Sequence, residues 1–194
     1  TATGRIRRLV EARINAAYGE PFQWMPDART LLVQLIPEGR GRPPEPPAVP
    51  VGPTVQEGSG RPTPVRTYQD LLRTPHDEAL FEYYARAQLA LVDIADGRLV
   101  RVGSPDIFQM IEPSPDGRYL LVARVHRPYS YLVPHTAFPK EVEVWDRSGR
   151  LVHNLASLPL QEHVPIEGVP TGPREYAWRP TEPATLVWVE ALDE

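Results

Sequence analysis

A turn followed by an apolar strand occurs three times in this chain, and that recurrence limits the fold more than any other feature. It reads Trp24-Met25-Pro26-Asp27-Ala28-Arg29-Thr30-Leu31-Leu32-Val33 at its first occurrence and Pro113-Ser114-Pro115-Asp116-Gly117-Arg118-Tyr119-Leu120-Leu121-Val122 at its second. A looser third copy runs Trp178-Arg179-Pro180-Thr181-Glu182-Pro183-Ala184-Thr185-Leu186-Val187-Trp188. Pro presets φ at one corner of a β-turn, Asp bonds its own backbone, and Gly117 supplies a positive φ. Leu and Val then resume a sheet.

A second unit also recurs: Gly4-Arg5-Ile6-Arg7-Arg8-Leu9, Gly97-Arg98-Leu99-Val100-Arg101-Val102 and Gly149-Arg150-Leu151-Val152. The strand-like runs Leu89–Asp93 and Val142–Asp146 precede its last two copies, so Asp96-Gly97 and Ser148-Gly149 read as hairpin turns. The alternation in Glu141-Val142-Glu143-Val144-Trp145 suits a half-buried strand. In order, the units spell strand, Pro-Asp turn, strand, link, strand, Gly turn, strand. The complete copy runs from about Asp106 to Ala156, and the copy before it, Pro21 to Gly103, is swollen by an insertion. Four antiparallel strands per repeat is the pattern of a β-propeller blade. The expected fold is all-β, a partial propeller of about two and a half blades within one domain over residues 1–194; a sandwich of similar hairpins is the alternative. Since a ring closes with typically 4–8 blades, the chain is expected to be a piece of a longer propeller. Open edges are expected at Thr1–Leu9 and Leu186–Glu190, where self-association by edge pairing would follow.

The insertion spans residues 37–87. Its first part, 40–64, is a Pro-rich loop, and Arg40-Gly41-Arg42-Pro43-Pro44-Glu45-Pro46 fits the short pattern of an SH3 ligand. Two short helices are expected next, at 67–73 capped by Thr67 and at 75–87 capped by Thr74 with Pro75 in the first turn. Ala79, Leu80, Tyr83, Tyr84 and Ala87 would share one face of the second.

Composition removes several functions. The 194 residues include 24 Pro and no Cys, so disulfides, Cys-based zinc sites and thiol nucleophiles are excluded. A net charge of -4 argues against nucleic acid as a partner. No apolar run approaches the ~20 residues of a membrane helix, and no secretion leader is visible. A soluble chain is expected, with its compartment left open. No Ser lies in a G-x-S-x-G elbow, no His pair has metal-ligand spacing, and no phosphate- or dinucleotide-binding Gly motif occurs. No catalytic residue, metal or cofactor is therefore expected in this chain. The densest polar-aromatic cluster is Arg124-Val125-His126-Arg127-Pro128-Tyr129-Ser130-Tyr131. It follows a blade's second strand, where a loop reaches one rim, and Arg127 and Tyr129 are candidates there to bind carboxylate or peptide. The alternative is a loop ion pair with ring packing. Trp24, Trp145, Trp178 and Trp188 read as inter-blade core.

Several runs then resemble one family in collinear order: Leu35–Gly41, the Pro-rich stretch to Pro53, Arg66-Thr67-Tyr68-Gln69-Asp70-Leu71-Leu72, and Phe81-Glu82-Tyr83-Tyr84. Tyr119–Val122, His126-Arg127-Pro128-Tyr129-Ser130 with Pro134 and Phe138-Pro139-Lys140, and Leu158-Pro159-Leu160 continue it. They resemble the glutamyl endopeptidase branch of the prolyl oligopeptidase serine peptidases, from about Gly4 to Glu190. The resemblance implies a β-propeller that gates peptide access to an α/β-hydrolase domain elsewhere in the same polypeptide. It carries no triad onto this sequence. Cleavage after Glu would require a cation at the substrate, with Arg124 or Arg127 as candidates. The alternative function is a propeller used only for protein interaction.

Overall fold

The computed structural model describes residues 4, 6–48, 68–164, 168–170 and 172–190. Seven strands form one sheet in chain order: β1 (Phe22–Trp24), β2 (Thr30–Leu35), β3 (Arg86–Asp93), β4 (Leu99–Pro113), β5 (Tyr119–Val125), β6 (Lys140–Asp146) and β7 (Leu151–Leu158). Every neighbouring pair is antiparallel. A separate hairpin joins β8 (Arg174–Trp178) to β9 (Leu186–Val189).

The 15-residue β4 divides the sheet into blades. Its first half pairs with β3 as far as Ile107, and its second half, from Phe108, pairs with β5. One blade is thus β1, β2, β3 and the start of β4; the next is the end of β4 with β5, β6 and β7. The β8–β9 hairpin begins a third. This is the expected partial propeller, with its complete blade at Phe108–Leu158.

The three repeated turns close in the same way and stand side by side. Met25 N–H donates to Thr30 O, Ser114 N–H to Tyr119 O, and Arg179 N–H to Thr185 O. Asp27 Oδ1 accepts the N–H groups of Arg29 and Thr30, and Asp116 Oδ1 accepts that of Arg118. Ala28 takes the left-handed conformation that Gly117 takes in the second copy. Asp116 N–H reaches Pro183 O in the third turn at 3.0 Å, and Trp178 Nε1 donates to Glu112 O of the preceding blade.

Burial follows from the strand sequences. In β5, Leu120 and Val122 enter the core between the first two blades, beside Phe108, Leu89 and Trp145. Leu121 and Ala123 enter the core between the second blade and the hairpin, beside Val142, Val144 and Trp178. Because both faces are covered, the run is continuously apolar rather than alternating. Glu143 of β6 is buried for the same reason, so that strand is not the half-buried one its alternation suggested. The blades also touch through backbone: Gly103 N–H donates to Ser148 O at 2.9 Å. A Cβ on Gly149 would lie 2.1 Å from Gly103 N.

Other expectations also differ from the structure. Residues 6–9 form no strand; Arg7 bonds the carbonyls of Ile94 and Ala95, and Leu9 packs against the blade's outer face. No helix forms over 68–73, where Asp70 adopts φ +57° and Leu72 is drawn into the rim core; Thr67 lies outside the described residues. The second helix, α1 (Pro75–Ala85), ends two residues early because Arg86 and Ala87 enter β3. Trp145 and Trp178 are core, whereas Trp24 and Trp188, on strands with an uncovered face, are about half exposed. Of the Pro-rich loop, 49–64 lies outside the described residues.

Candidate functional site

The rim cluster is assembled from α1 and the loop between β5 and β6. Thr74 starts α1 as a capping box: its hydroxyl accepts Asp77 N–H, and the Asp77 carboxylate accepts Thr74 N–H and Arg73 N–H. These bonds hold Asp77 below the usual carboxylate range and satisfy donors that a helix start leaves open. Phe81 and Ala85 are the residues α1 turns inward, rather than Tyr83 and Tyr84. Phe81 sits at the centre of edge-on contacts to Tyr18, Tyr129 and Phe138 at 5.5, 5.2 and 5.8 Å, each of a kind worth about 0.5–1.5 kcal/mol.

Glu78 and Glu82, one turn apart on α1, face the loop and meet Arg127. Arg127 Nε donates to Glu82 Oε1 at 2.8 Å and Nη1 donates to Glu78. Its guanidinium also lies 5.1 Å from the centre of the Tyr129 ring, and Tyr129 Oη donates to Glu82 Oε1 at 3.1 Å. The hydrogen bonds to Glu82 and Glu78 keep Arg127 firmly protonated. Burial first, and then the Glu82 charge, push the Tyr129 phenol up, so it stays neutral.

Arg124 lies one strand deeper. Its Nε and Nη2 bind both oxygens of Glu143, at 2.9 and 2.7 Å, and Nη1 binds Asp106 at 2.7 Å. Trp145 Nε1 donates to Glu143 Oε2. Arg124 thereby joins β4, β5 and β6, and these hydrogen bonds raise its pKa.

The structure therefore brings Arg127 and Tyr129 together on Glu82 and sets Arg124 in a separate network. Each guanidinium already holds two carboxylates. Binding a substrate carboxylate at either one would displace an ion pair. The acidic partners Glu78, Glu82, Asp106 and Glu143 were not singled out from the sequence. The i,i+4 spacing of Glu78 and Glu82 on a capped helix was the one local signal; Asp106 and Glu143 are joined to Arg124 by strand register alone.

The class these features define is a partial antiparallel propeller with a helical insertion docked on its rim. Over 186 residues, 94% of its length, the chain is 45% identical to a protein of Oryza sativa subsp. japonica named probable glutamyl endopeptidase, chloroplastic. It is 45% identical over 98% of its length to the protein of that name from Arabidopsis thaliana. The chain spans about a fifth of each relative, 20% in both cases. It is a relative of the glutamyl endopeptidases over that segment, as the collinear motifs implied. No protein-family profile matches it. No helix among the described residues is long and apolar enough to cross a membrane.

Proposed function

We propose that this chain is the non-catalytic, substrate-gating propeller segment of a serine peptidase of the glutamyl endopeptidase type. The observation that carries the reading is the 45% identity along nearly the whole chain to proteins of that name, on a fold built of propeller blades. Its partner under this reading is an α/β-hydrolase domain of the same polypeptide that supplies Ser, Asp and His, and its substrates are peptides. The propeller contributes exclusion: a rigid blade stack admits flexible chains and turns away folded ones. Rigidity is what the Arg124 and Arg127 networks provide. Arg127, whose side chain is 52% exposed, is the proposed contact for a substrate carboxylate, exchanging Glu78 for it, with Tyr129 holding Glu82 in place.

The test is cleavage of a Glu-containing peptide by the full polypeptide that carries this chain. Hydrolysis after Glu, abolished by replacing the Ser of a G-x-S-x-G elbow, is expected. A reading frame without that elbow would instead leave a propeller used for protein interaction. Arg127→Gln is expected to raise KM for Glu peptides with kcat little changed, and an unchanged KM would remove Arg127 from the substrate site. The isolated 194-residue chain is proposed to self-associate through β9, where Val187, Trp188 and Val189 are exposed. Sedimentation as a monomer at high concentration would refute that.

A further inference from the structure

At the end of the sheet opposite the α1 rim, the first two blades close on the same frame, and the second departs from it. Thr30 pairs with Asp93 in the first blade and Tyr119 with Asp146 in the second. Arg29 and Arg118 directly precede Thr30 and Tyr119. Asp93 N–H donates to Arg98 O at 3.0 Å, and Asp146 N–H to Arg150 O at 2.9 Å. In the first blade the frame closes on itself, since Arg29 Nε and Nη2 both meet Asp93 Oδ2 at 2.8 Å. In the second blade Asp146 is taken up by its own turn. Its Oδ1 accepts Ser148 N–H, Ser148 Oγ and Arg150 N–H, and its Oδ2 accepts Arg150 Nε. Arg118 is thereby released: among the described residues its nearest carboxylate is Asp116, at 3.9 Å. A second difference adds charge, because Ile94 follows Asp93 whereas Arg147 follows Asp146.

Arg118, Arg147 and Arg150 border one open cleft of about 530 Å³, with Tyr119 and Val152 as its apolar wall. Asp146 is the one carboxylate on that border among the described residues, so the cleft carries a surplus of positive charge. Arg147 makes only long contacts, 3.4 Å to Gly117 O and 4.0 Å to Asp27. Arg118 lies against its neighbour, with its guanidinium 5.4 Å from the Tyr119 ring centre and Nη2 3.4 Å from Tyr119 Oη. The Arg118 and Arg147 side chains are 71% and 43% exposed, so both remain open to a ligand from solvent.

We propose that this cleft binds the phosphate group of a small organic phosphate. Two guanidinium groups from separate turns border it, and a phosphate has three terminal oxygens to share between them. A carboxylate has only two oxygens, and one arginine fork takes both. The cleft is much larger than a lone phosphate. Tyr119 and the half-exposed Val152 give the organic part an apolar surface beside the charge. The inference does not rest on the peptidase reading, and it concerns the opposite end of the propeller from Arg127.

Calorimetric titration of the full polypeptide with ADP, pyrophosphate, adenosine and citrate tests it. ADP is expected to bind, and more weakly as salt is raised. Pyrophosphate is expected to bind less tightly than ADP, and adenosine and citrate far less tightly. Arg118→Gln and Arg147→Ile, both at exposed side chains, are each expected to weaken ADP binding about tenfold. Arg29→Gln, at the equivalent position of the first blade, is expected to leave ADP affinity unchanged, which places the binding in the second blade. No ADP binding, equal binding of pyrophosphate, adenosine or citrate, or full ADP affinity when Arg118→Gln and Arg147→Ile are combined would each overturn the proposal.

Discussion

Arg124→Met separates a structural pillar from a surface binder. The Glu143 side chain is 5% exposed and the Arg124 side chain 28%. Methionine fills much of the arginine's volume but supplies no charge. Glu143 would keep only the Trp145 indole, at 2.7 Å, as a donor, and Asp106 would lose its 2.7 Å partner. Removing one side of a buried pair costs about 3–5 kcal/mol, because an uncompensated charge stays behind. Hydrogen exchange in the protein reads this directly: amides of β5 and β6 should exchange roughly two to three and a half decades faster. Adding Glu143→Gln to Arg124→Met should recover most of the loss, since Gln removes the stranded charge and still accepts from Trp145. Protection of β5 and β6 unchanged in Arg124→Met, with peptide binding lost, would refute the structural role and return Arg124 to the substrate surface.

Other perturbations follow from single positions. Gly149→Ala should loosen the boundary between the blades by about 3 kcal/mol or more, because the new Cβ meets Gly103 backbone and φ is +84°; faster exchange at Gly103 is the readout. Thr74→Ala should cost α1 about 1 kcal/mol, seen as early exchange of the first-turn amides. Asp146 accepts Ser148 Oγ and N–H together with Arg150 N–H, which hold its carboxyl down at about 2 against an ordinary 3.8. A depressed pKa of this kind stabilises the folded state above the ordinary value and loses its contribution as pH falls through the folded one. Protection of the β6–β7 turn should therefore fall between about pH 4 and pH 2, and Asp146→Asn should remove that dependence. An Asp146 carboxyl that titrates near 3.8 by NMR would contradict this.

How much of this was legible in the sequence depended on the range of the contact. The turns at Pro26-Asp27, Pro115-Asp116 and Pro180 were readable because proline, aspartate and glycine act on their own backbone. The Thr74 cap was readable for the same reason, since Asp77 lies three residues away. Arg127 and Tyr129 stood out as a dense cluster. Their acids on α1 did not, because Glu82 lies 45 residues from Arg127 and only docking of the helix brings them together. The same limit hid the stacking of Arg40, a loop residue, on Tyr83 and Tyr84 of α1. The failed helix at 68–73 shows tertiary packing overriding local signals, with Leu72 drawn under α1 and Asp70 turned left-handed. Trp24 and Trp188 were misread because residue type does not say which strand has an uncovered face.

Gating is the central claim, and size-graded substrates test it most directly. The same Glu-containing segment would be offered to the full polypeptide as a free peptide, as an unfolded chain and within a stable folded protein. The account predicts cleavage of the first two and sparing of the third, with Gly149→Ala relaxing the discrimination as the blades loosen. Equal cleavage of the folded protein by the unaltered enzyme would contradict it.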